Sequence, residues 1–221
     1  MEATRRPRVK ICCIASREEA TLAVRAGASA LGLVSEMPSG PGVISDEAIH
    51  AIARTVPPGV ASFLLTSRQS AAAIAEQARR AGVNTVQLCD ELQDDAYDAL
   101  RAGLPGVGIV QVIHVAGREP LEQALRLAPY VDALLLDSGD PSLPVKQLGG
   151  TGRRHDWGLS RAIRERVAVP LYLAGGLVPA NVREAIETVG PFGLDVCNGV
   201  RTDGKLDAPK LAAFMAAAWD S

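Results

Sequence analysis

Eight times along the chain, a short apolar or β-branched run gives way to an amphipathic stretch rich in alanine and arginine. The strand-like runs begin near Val9, Ala30, Val60, Thr85, Gly108, Ala133, Pro170 and Gly193, and helical periodicity fills gaps such as 17–26, 46–55, 69–81, 120–128, 179–188 and 209–218. Runs like Ala133-Leu134-Leu135-Leu136 do not alternate with polar residues, the pattern of strands buried on both faces in a parallel sheet. Strands that alternate with helices in this way build right-handed βαβ units.

The chain has 221 residues, so each unit averages about 27, close to what eight units of a minimal closed barrel require. A doubly wound open sheet would need fewer, longer units and usually a GxGxxG after its first strand; Cys12-Cys13-Ile14-Ala15 stands there instead. Hydrophobic residues make up 48% of the chain, enough for one sizeable core, and no shift in composition marks a second domain. The expected fold is α/β, a single-domain (β/α)₈ TIM barrel over residues 1–221.

A net charge of −2 gives no reason to expect nucleic acid or an acidic membrane surface as partner. No apolar run approaches the ~18 residues of a spanning helix. The basic start from Met1 to Pro7 lacks the apolar run and cleavage site of a signal peptide, so the cytoplasm is the expected compartment. Cys12, Cys13, Cys89 and Cys197 form no CxxC pair and are expected to be reduced.

In such a barrel, chemistry gathers where the strands end at their C-terminal side. The ends here carry Lys10-Ile11-Cys12-Cys13, Gln87-Leu88-Cys89-Asp90, His114, Asp137-Ser138, Ala174-Gly175-Gly176 and Asp195-Val196-Cys197-Asn198-Gly199. Two long Gly/Pro-rich connections, 35–44 and 139–155, lie at the same end. Gly175-Gly176 and Asn198-Gly199 follow consecutive strands, each expected to lead into a helix N-terminus. Backbone N–H groups there can approach an anion closely, and the last two loops of such barrels often bind phosphate. Tight turns alone would also use these glycines.

Strand alternation sets Lys10 and Cys12 on one face, and Val9, Ile11 and Cys13 on the other. A nearby ammonium would lower the Cys12 thiol pKa and make a thiolate base available, although a small buried apolar thiol fits the same residue. Asp137, at the mouth of an apolar strand, suits a general acid if burial raises its pKa, or a loop cap if not. Asp156 reads as an N-cap ahead of Leu159 and Ile163.

Several motifs, in order along nearly the whole chain, resemble the phosphoribosylanthranilate isomerase family. They are Lys10-Ile11-Cys12, Val86-Gln87-Leu88, Leu135-Leu136-Asp137-Ser138, Gly149-Gly150-Thr151-Gly152 with Asp156-Trp157, Leu173-Ala174-Gly175-Gly176-Leu177, and Gly199-Val200 with Gly204-Lys205-Leu206-Asp207. The resemblance implies a cofactor-free Amadori rearrangement of a phosphorylated aminoaldose to an aminoketose, in tryptophan biosynthesis or a related pathway. An acid opens the ribose ring to a protonated imine, and a base then removes the proton on C2. By position, Cys12 is the general base and Asp137 the general acid, and Gly175, Gly176, Asn198 and Gly199 hold the phosphate. Lys10, Gln87, Cys89, His114, Arg154 and Arg201 are the candidate substrate contacts. The expected partner is a small phosphorylated sugar, with the protein a monomer or homodimer.

The chain also departs from the family pattern: the proton-transfer pair and the phosphate cradle survive, while the side that would meet the amine substituent is rebuilt. The family's Ser-Pro-Arg after strand two, whose arginine pairs with the anthranilate carboxylate, is here Pro38-Ser39-Gly40-Pro41-Gly42. Gln-Leu-His-Gly has become Gln87-Leu88-Cys89-Asp90, Cys-Gly has become Cys12-Cys13, and Ser-Ser-Gly-Val-Glu has become Cys197-Asn198-Gly199-Val200-Arg201. Arg153, Arg154 or Arg201 is the expected replacement for the lost arginine, or else the substrate is a sugar phosphate lacking that carboxylate. Two non-catalytic alternatives are a phosphate-binding barrel without turnover and a zinc-binding barrel using Cys12, Cys89, Cys197 and His114. The second is opposed by the placement of strands one and eight across from strands four and five.

Overall fold

The computed structural model describes residues 6–115, 119–140, 142–149 and 152–219. Eight parallel strands close into a barrel in sequence order: β1 (Arg8–Ile11), β2 (Ala30–Val34), β3 (Ala61–Thr66), β4 (Thr85–Leu88), β5 (Gly108–His114), β6 (Ala133–Asp137), β7 (Leu171–Leu173) and β8 (Gly193–Val196). Helices α1 (Arg17–Arg25), α2 (Asp46–Ala53), α3 (Ala71–Ala81), α4 (Asp94–Gly103), α5 (Pro120–Leu127), α6 (Trp157–Arg166), α7 (Val182–Val189) and α8 (Ala208–Trp219) alternate with them. The fold is the (β/α)₈ barrel expected from the repeat, and the eight strands begin within one residue of where the apolar runs do.

The strands are apolar on both faces because each face meets its own core. Outward residues such as Ile11, Leu31, Leu64, Val86, Leu134 and Leu194 pack under the helices. Inward residues such as Phe63, Leu65, Val110, Val112, Leu135 and Tyr172 fill the barrel. Ser16, Ser45, Ser70 and Asp156 cap the N-termini of α1, α2, α3 and α6 through their side-chain oxygens. α7 begins at Val182, later than the periodicity suggests, because the Asn181 side chain folds back to accept from Val178 N at 2.9 Å and donate to Gly176 O at 2.9 Å. That closes residues 176–181 into a turn.

One local expectation fails at the end of β1. The strand stops at Ile11, and Cys13 takes φ 61°, so its side chain leaves the outer face and joins the cluster at the barrel mouth. Among the described residues, no helix is long and apolar enough to cross a membrane.

Candidate active site

Closure of the barrel sets β1 beside β8, with Lys10 opposite Asp195 and Ile11 opposite Val196. Lys10 is fully buried; its Nζ donates to Asp195 Oδ1 at 2.8 Å and lies 5.3 Å from the centre of the Phe63 ring. Burial alone would strip the ammonium of its proton, but Asp195 reverses this and holds the Lys10 pKa above its ordinary value. Gly32 on β2 leaves the space these groups need: a Cβ there would stand 2.9 Å from Cys12 Sγ and 3.0 Å from Lys10 Nζ.

Cys12 therefore sits beside a fixed positive charge. The Cys13 thiol pulls the Cys12 pKa below its usual value by hydrogen bonding, burial opposes this, and the Lys10 ammonium adds to the pull. The shared proton stays on Cys13, whose own pKa is driven up by Cys12, then by Cys197 and burial. A left-handed backbone at Cys13 is costly for an L residue with a side chain, on the order of 1–2 kcal/mol. Arg201 holds the turn in place: its Nη2 donates to Cys12 O at 3.2 Å and Cys13 O at 2.5 Å, while the guanidinium pairs with Glu19 at 3.0 Å.

Across the mouth, Asp137 ends β6. Burial raises its carboxyl pKa, the Ser138 backbone N–H at 2.7 Å opposes the rise, and the Asp195 carboxylate adds to it. Gly149 from the following loop crowds it so closely that a Cβ there would stand 2.5 Å from Asp137 Oδ2. Gln87 and Cys89 rise from the β4 side. Cys89 is kept a neutral thiol, its pKa pushed up by burial. The Gln87 Oε1 is buried without a hydrogen-bond partner among the described residues, an arrangement that favours a donor arriving from the cavity.

The third wall is backbone. Gly175 and Gly176 have φ 84° and 65°, and a Cβ on Gly176 would stand 2.8 Å from the Arg153 carbonyl carbon. Gly199 is tighter, with a Cβ falling 2.0 Å from Leu177 O. The loops after β6, β7 and β8 thus stack through glycine contacts that no side chain would permit. The helix expected straight after β8 is a single 3-10 turn, Asn198–Val200; a short ribbon of Arg201–Thr202 with Lys205–Leu206 separates it from α8. A short extra helix after the eighth strand is a recurrent phosphate-binding device of this fold.

One cavity of about 220 Å³ joins these walls. Cys12, Asp137, Gln87, Cys89, Gly175, Gly176, Asn198 and Gly199 all line it. Four expected contacts stand elsewhere. Lys10 lies beneath the floor, buried against Asp195. His114 turns its Nε2 to Cys89 O at 3.0 Å and lies behind the cavity wall, facing a separate cleft with Glu91 and Glu119. Arg154 stacks on Trp157, 3.8 Å from the ring centre, and pairs with Glu184 at 3.3 Å. Arg201 is buried against Glu19 and the β1 turn, its guanidinium taken up by carbonyls and a carboxylate rather than facing the mouth. Among the described residues, no three His, Cys, Asp or Glu side chains are grouped so that they could hold a metal.

Residues that the sequence reading did not assign also line the cavity. Asp195 is one, and its signal was present: once β8 is taken to close on β1, it falls opposite Lys10. Met37, Leu65 and Leu148 form an apolar rim beside Ser39, Gly40 and Pro41. Gly150 and Thr151 of the Gly149–Gly152 motif lie outside the described residues.

The sequence pattern of the family described as N-(5'phosphoribosyl)anthranilate (PRA) isomerase matches residues 9–217. The N-(5'-phosphoribosyl)anthranilate isomerase of Halobacterium salinarum is 39% identical over 215 residues, covering 96% of this chain and 95% of its own. The crystal structure of phosphoribosyl anthranilate isomerase from Thermotoga maritima superposes with TM-score 0.82 at 32% identity, covering 96% of this chain and 98% of that one. A crystal structure of such an isomerase in complex with reduced 1-(o-carboxyphenylamino)-1-deoxyribulose 5-phosphate superposes with TM-score 0.80 at 30% identity, over 96% and 98% of the two chains.

Proposed function

The chain belongs to the N-(5'-phosphoribosyl)anthranilate isomerase family, and we propose that Cys12 and Asp137 carry the two proton transfers of its aldose–ketose isomerisation. The enzyme is an isomerase of the phosphoribosylanthranilate type, whose reaction serves tryptophan biosynthesis. Asp137, its carboxyl pKa raised by burial, gives its proton to the ring oxygen of the aminoaldose; the C1–O bond breaks and the amine nitrogen forms the C1 imine. Cys12 takes the proton from C2 as thiolate, and the imine accepts the electron pair. The resulting enol becomes the ketone. Gln87 Oε1 accepts from a sugar hydroxyl, and the Gly175-Gly176 and Asn198-Gly199 backbone anchors the phosphate, so that its binding energy positions C2 near Cys12. Lys10 supports the base from below rather than touching substrate. The compartment that fits this chemistry is the cytoplasm.

The observation that carries the reading is the pairing, in one cavity, of a thiol pulled down and a carboxyl pushed up in pKa. Turnover of phosphoribosylanthranilate, generated in situ and followed by loss of its fluorescence, is expected in the wild type. Cys12→Ala and Asp137→Asn should each lower kcat by about 10²–10⁴-fold. Either variant turning over at the wild-type rate removes its residue from the role. The apolar rim of Met37, Leu65 and Leu148, with no arginine in 35–44, favours a second reading, a substrate whose amine substituent lacks the carboxylate. No turnover of phosphoribosylanthranilate by a protein that phosphate still stabilises would select it.

A further inference from the structure

We propose that Cys12 and Cys197 form a peroxide-sensitive modification site at the barrel mouth, in which Cys12 is oxidised first and Cys197 then closes a disulfide with it. Strand register brings the pair together. The Cys12 N–H donates to Val196 O at 2.9 Å, so the β1–β8 register continued one step past Ile11 and Val196 sets Cys12 opposite Cys197, with the Cys13 thiol hydrogen-bonded to both. Two residues back, Lys10 and Asp195 occupy the same register and meet at 2.8 Å inside the barrel. Side chains two residues further along point the same way, and both thiols do line the cavity. Neighbouring strands lie about 4.8 Å apart, within the ~4.4–6.8 Å between Cα atoms that a disulfide spans. Consecutive residues, at about 3.8 Å, fall below that range, which sets Cys13 aside as the partner of Cys12.

The rest of the site makes Cys12 the first target. All four cysteines are free thiols, and Cys197 is partly exposed where the cavity opens. Lys10 and Cys13 hold Cys12 toward the thiolate, the form that attacks a peroxide. The Cys12 sulfur attacks one peroxide oxygen; an S–O bond forms, the O–O bond breaks, and the departing oxygen leaves as water or alcohol after taking a proton. Cys197 then attacks the Cys12 sulfur as its thiol gives up its proton. An S–S bond forms, the S–O bond breaks and water leaves. Two thiols are oxidised and one peroxide is reduced. The disulfide removes the base and ties the loop bearing Asn198-Gly199 to the end of β1. The loss of activity rests on the assignment of Cys12 as base; the chemistry of the thiols does not.

The test treats reduced enzyme with hydrogen peroxide, counts thiols under denaturing conditions, maps disulfides by peptide mass and follows turnover. Two of the four thiols should disappear, with the Cys12 peptide linked to the Cys197 peptide. Turnover should fall by about tenfold or more and return with dithiothreitol. In Cys13→Gly, treated at a pH high enough to offset the rise in the Cys12 pKa, the same linkage should form, which assigns it to Cys12. In Cys197→Ser the loss should become irreversible, as Cys12 passes to the sulfinate. Retention of all four thiols, a linkage that vanishes in Cys13→Gly, or irreversible loss in the wild type overturns the proposal. The linkage in a protein that does not turn over phosphoribosylanthranilate would leave the thiol site standing and fail the reading of function.

Discussion

The two sides of the barrel mouth are built by different means. The loops after β7 and β8 are made of backbone packed on backbone: Gly176 lies against Arg153 and Gly199 against Leu177 with no room for a Cβ. The loops after β2 and β6 meet through a few side-chain and edge contacts. Ser39 Oγ donates to Lys146 O at 2.6 Å between them, Asp140 bridges Gln147 within the loop after β6, and apolar Val43, Leu143 and Val145 stay exposed. On the proposed assignment the packed side takes the phosphate, which the reaction always presents, and the loosely tied side takes the amine substituent, where the arginine of the family's Ser-Pro-Arg segment is missing. A backbone wall tolerates little change, whereas a rim of side chains on long loops can be rebuilt without disturbing the barrel.

The sharpest way to break this contrast is Gly199→Ala. With a Cβ falling 2.0 Å from Leu177 O, the loops must part. KM should rise at least about tenfold, stability should drop by about 1–3 kcal/mol, and the rise in Tm that inorganic phosphate confers should vanish. On the rim, Ser39→Ala removes one hydrogen bond and should cost about 1 kcal/mol, with kcat unchanged. Comparable KM effects for the two would mean that the distinction is false.

A smaller effect sharpens the rim itself. Of the three arginines considered as replacements for the missing one, Arg154 and Arg201 are engaged with Glu184 and Glu19. Arg153 too has a partner, and it is exposed, with its backbone against Gly175 and Gly176. Arg153→Ala should raise KM for phosphoribosylanthranilate by about tenfold, the scale of a lost charge-assisted contact, while Arg154→Ala leaves it within about twofold. Equal, wild-type KM values in both would point to a substrate without the carboxylate.

The smallest expected change is in pH dependence. The proposed roles need Cys12 without its proton and Asp137 with its own, so kcat/KM should be bell-shaped, with one limb set by the lowered Cys12 pKa and the other by the raised Asp137 pKa. Cys13→Gly removes the thiol that hydrogen-bonds to Cys12, so the Cys12 limb should move to higher pH while the Asp137 limb stays put. Glycine also relieves the φ 61° backbone, so the variant should fold. Two unmoved limbs would leave Lys10 as the group that tunes the base.

Much of this was legible before any coordinates. Gly175, Gly176 and Gly199 could be read because close backbone approach has a single-residue signature. Cys12 and Asp137 could be placed at the barrel mouth because strand ends fall at predictable places in a repeat, while their roles as base and acid came only from the family resemblance. Arg201 could not: a basic residue beside the mouth looks like a substrate contact until Glu19, 182 residues earlier, turns it inward. His114 likewise ends a strand pointing at the site but turns to the Cys89 carbonyl.

Periodicity and chain length specify the eight βα units, the barrel they close into and the end at which the site forms, because few other arrangements bury those strands on both faces. The charge of the site depends instead on how the barrel closes. Lys10 and Asp195 lie 185 residues apart and meet solely because β8 closes on β1, and Cys13 turns left-handed at the mouth while Arg201 grips its carbonyl. These are consequences of closure, which joins the two ends of the chain and has no local signature in either.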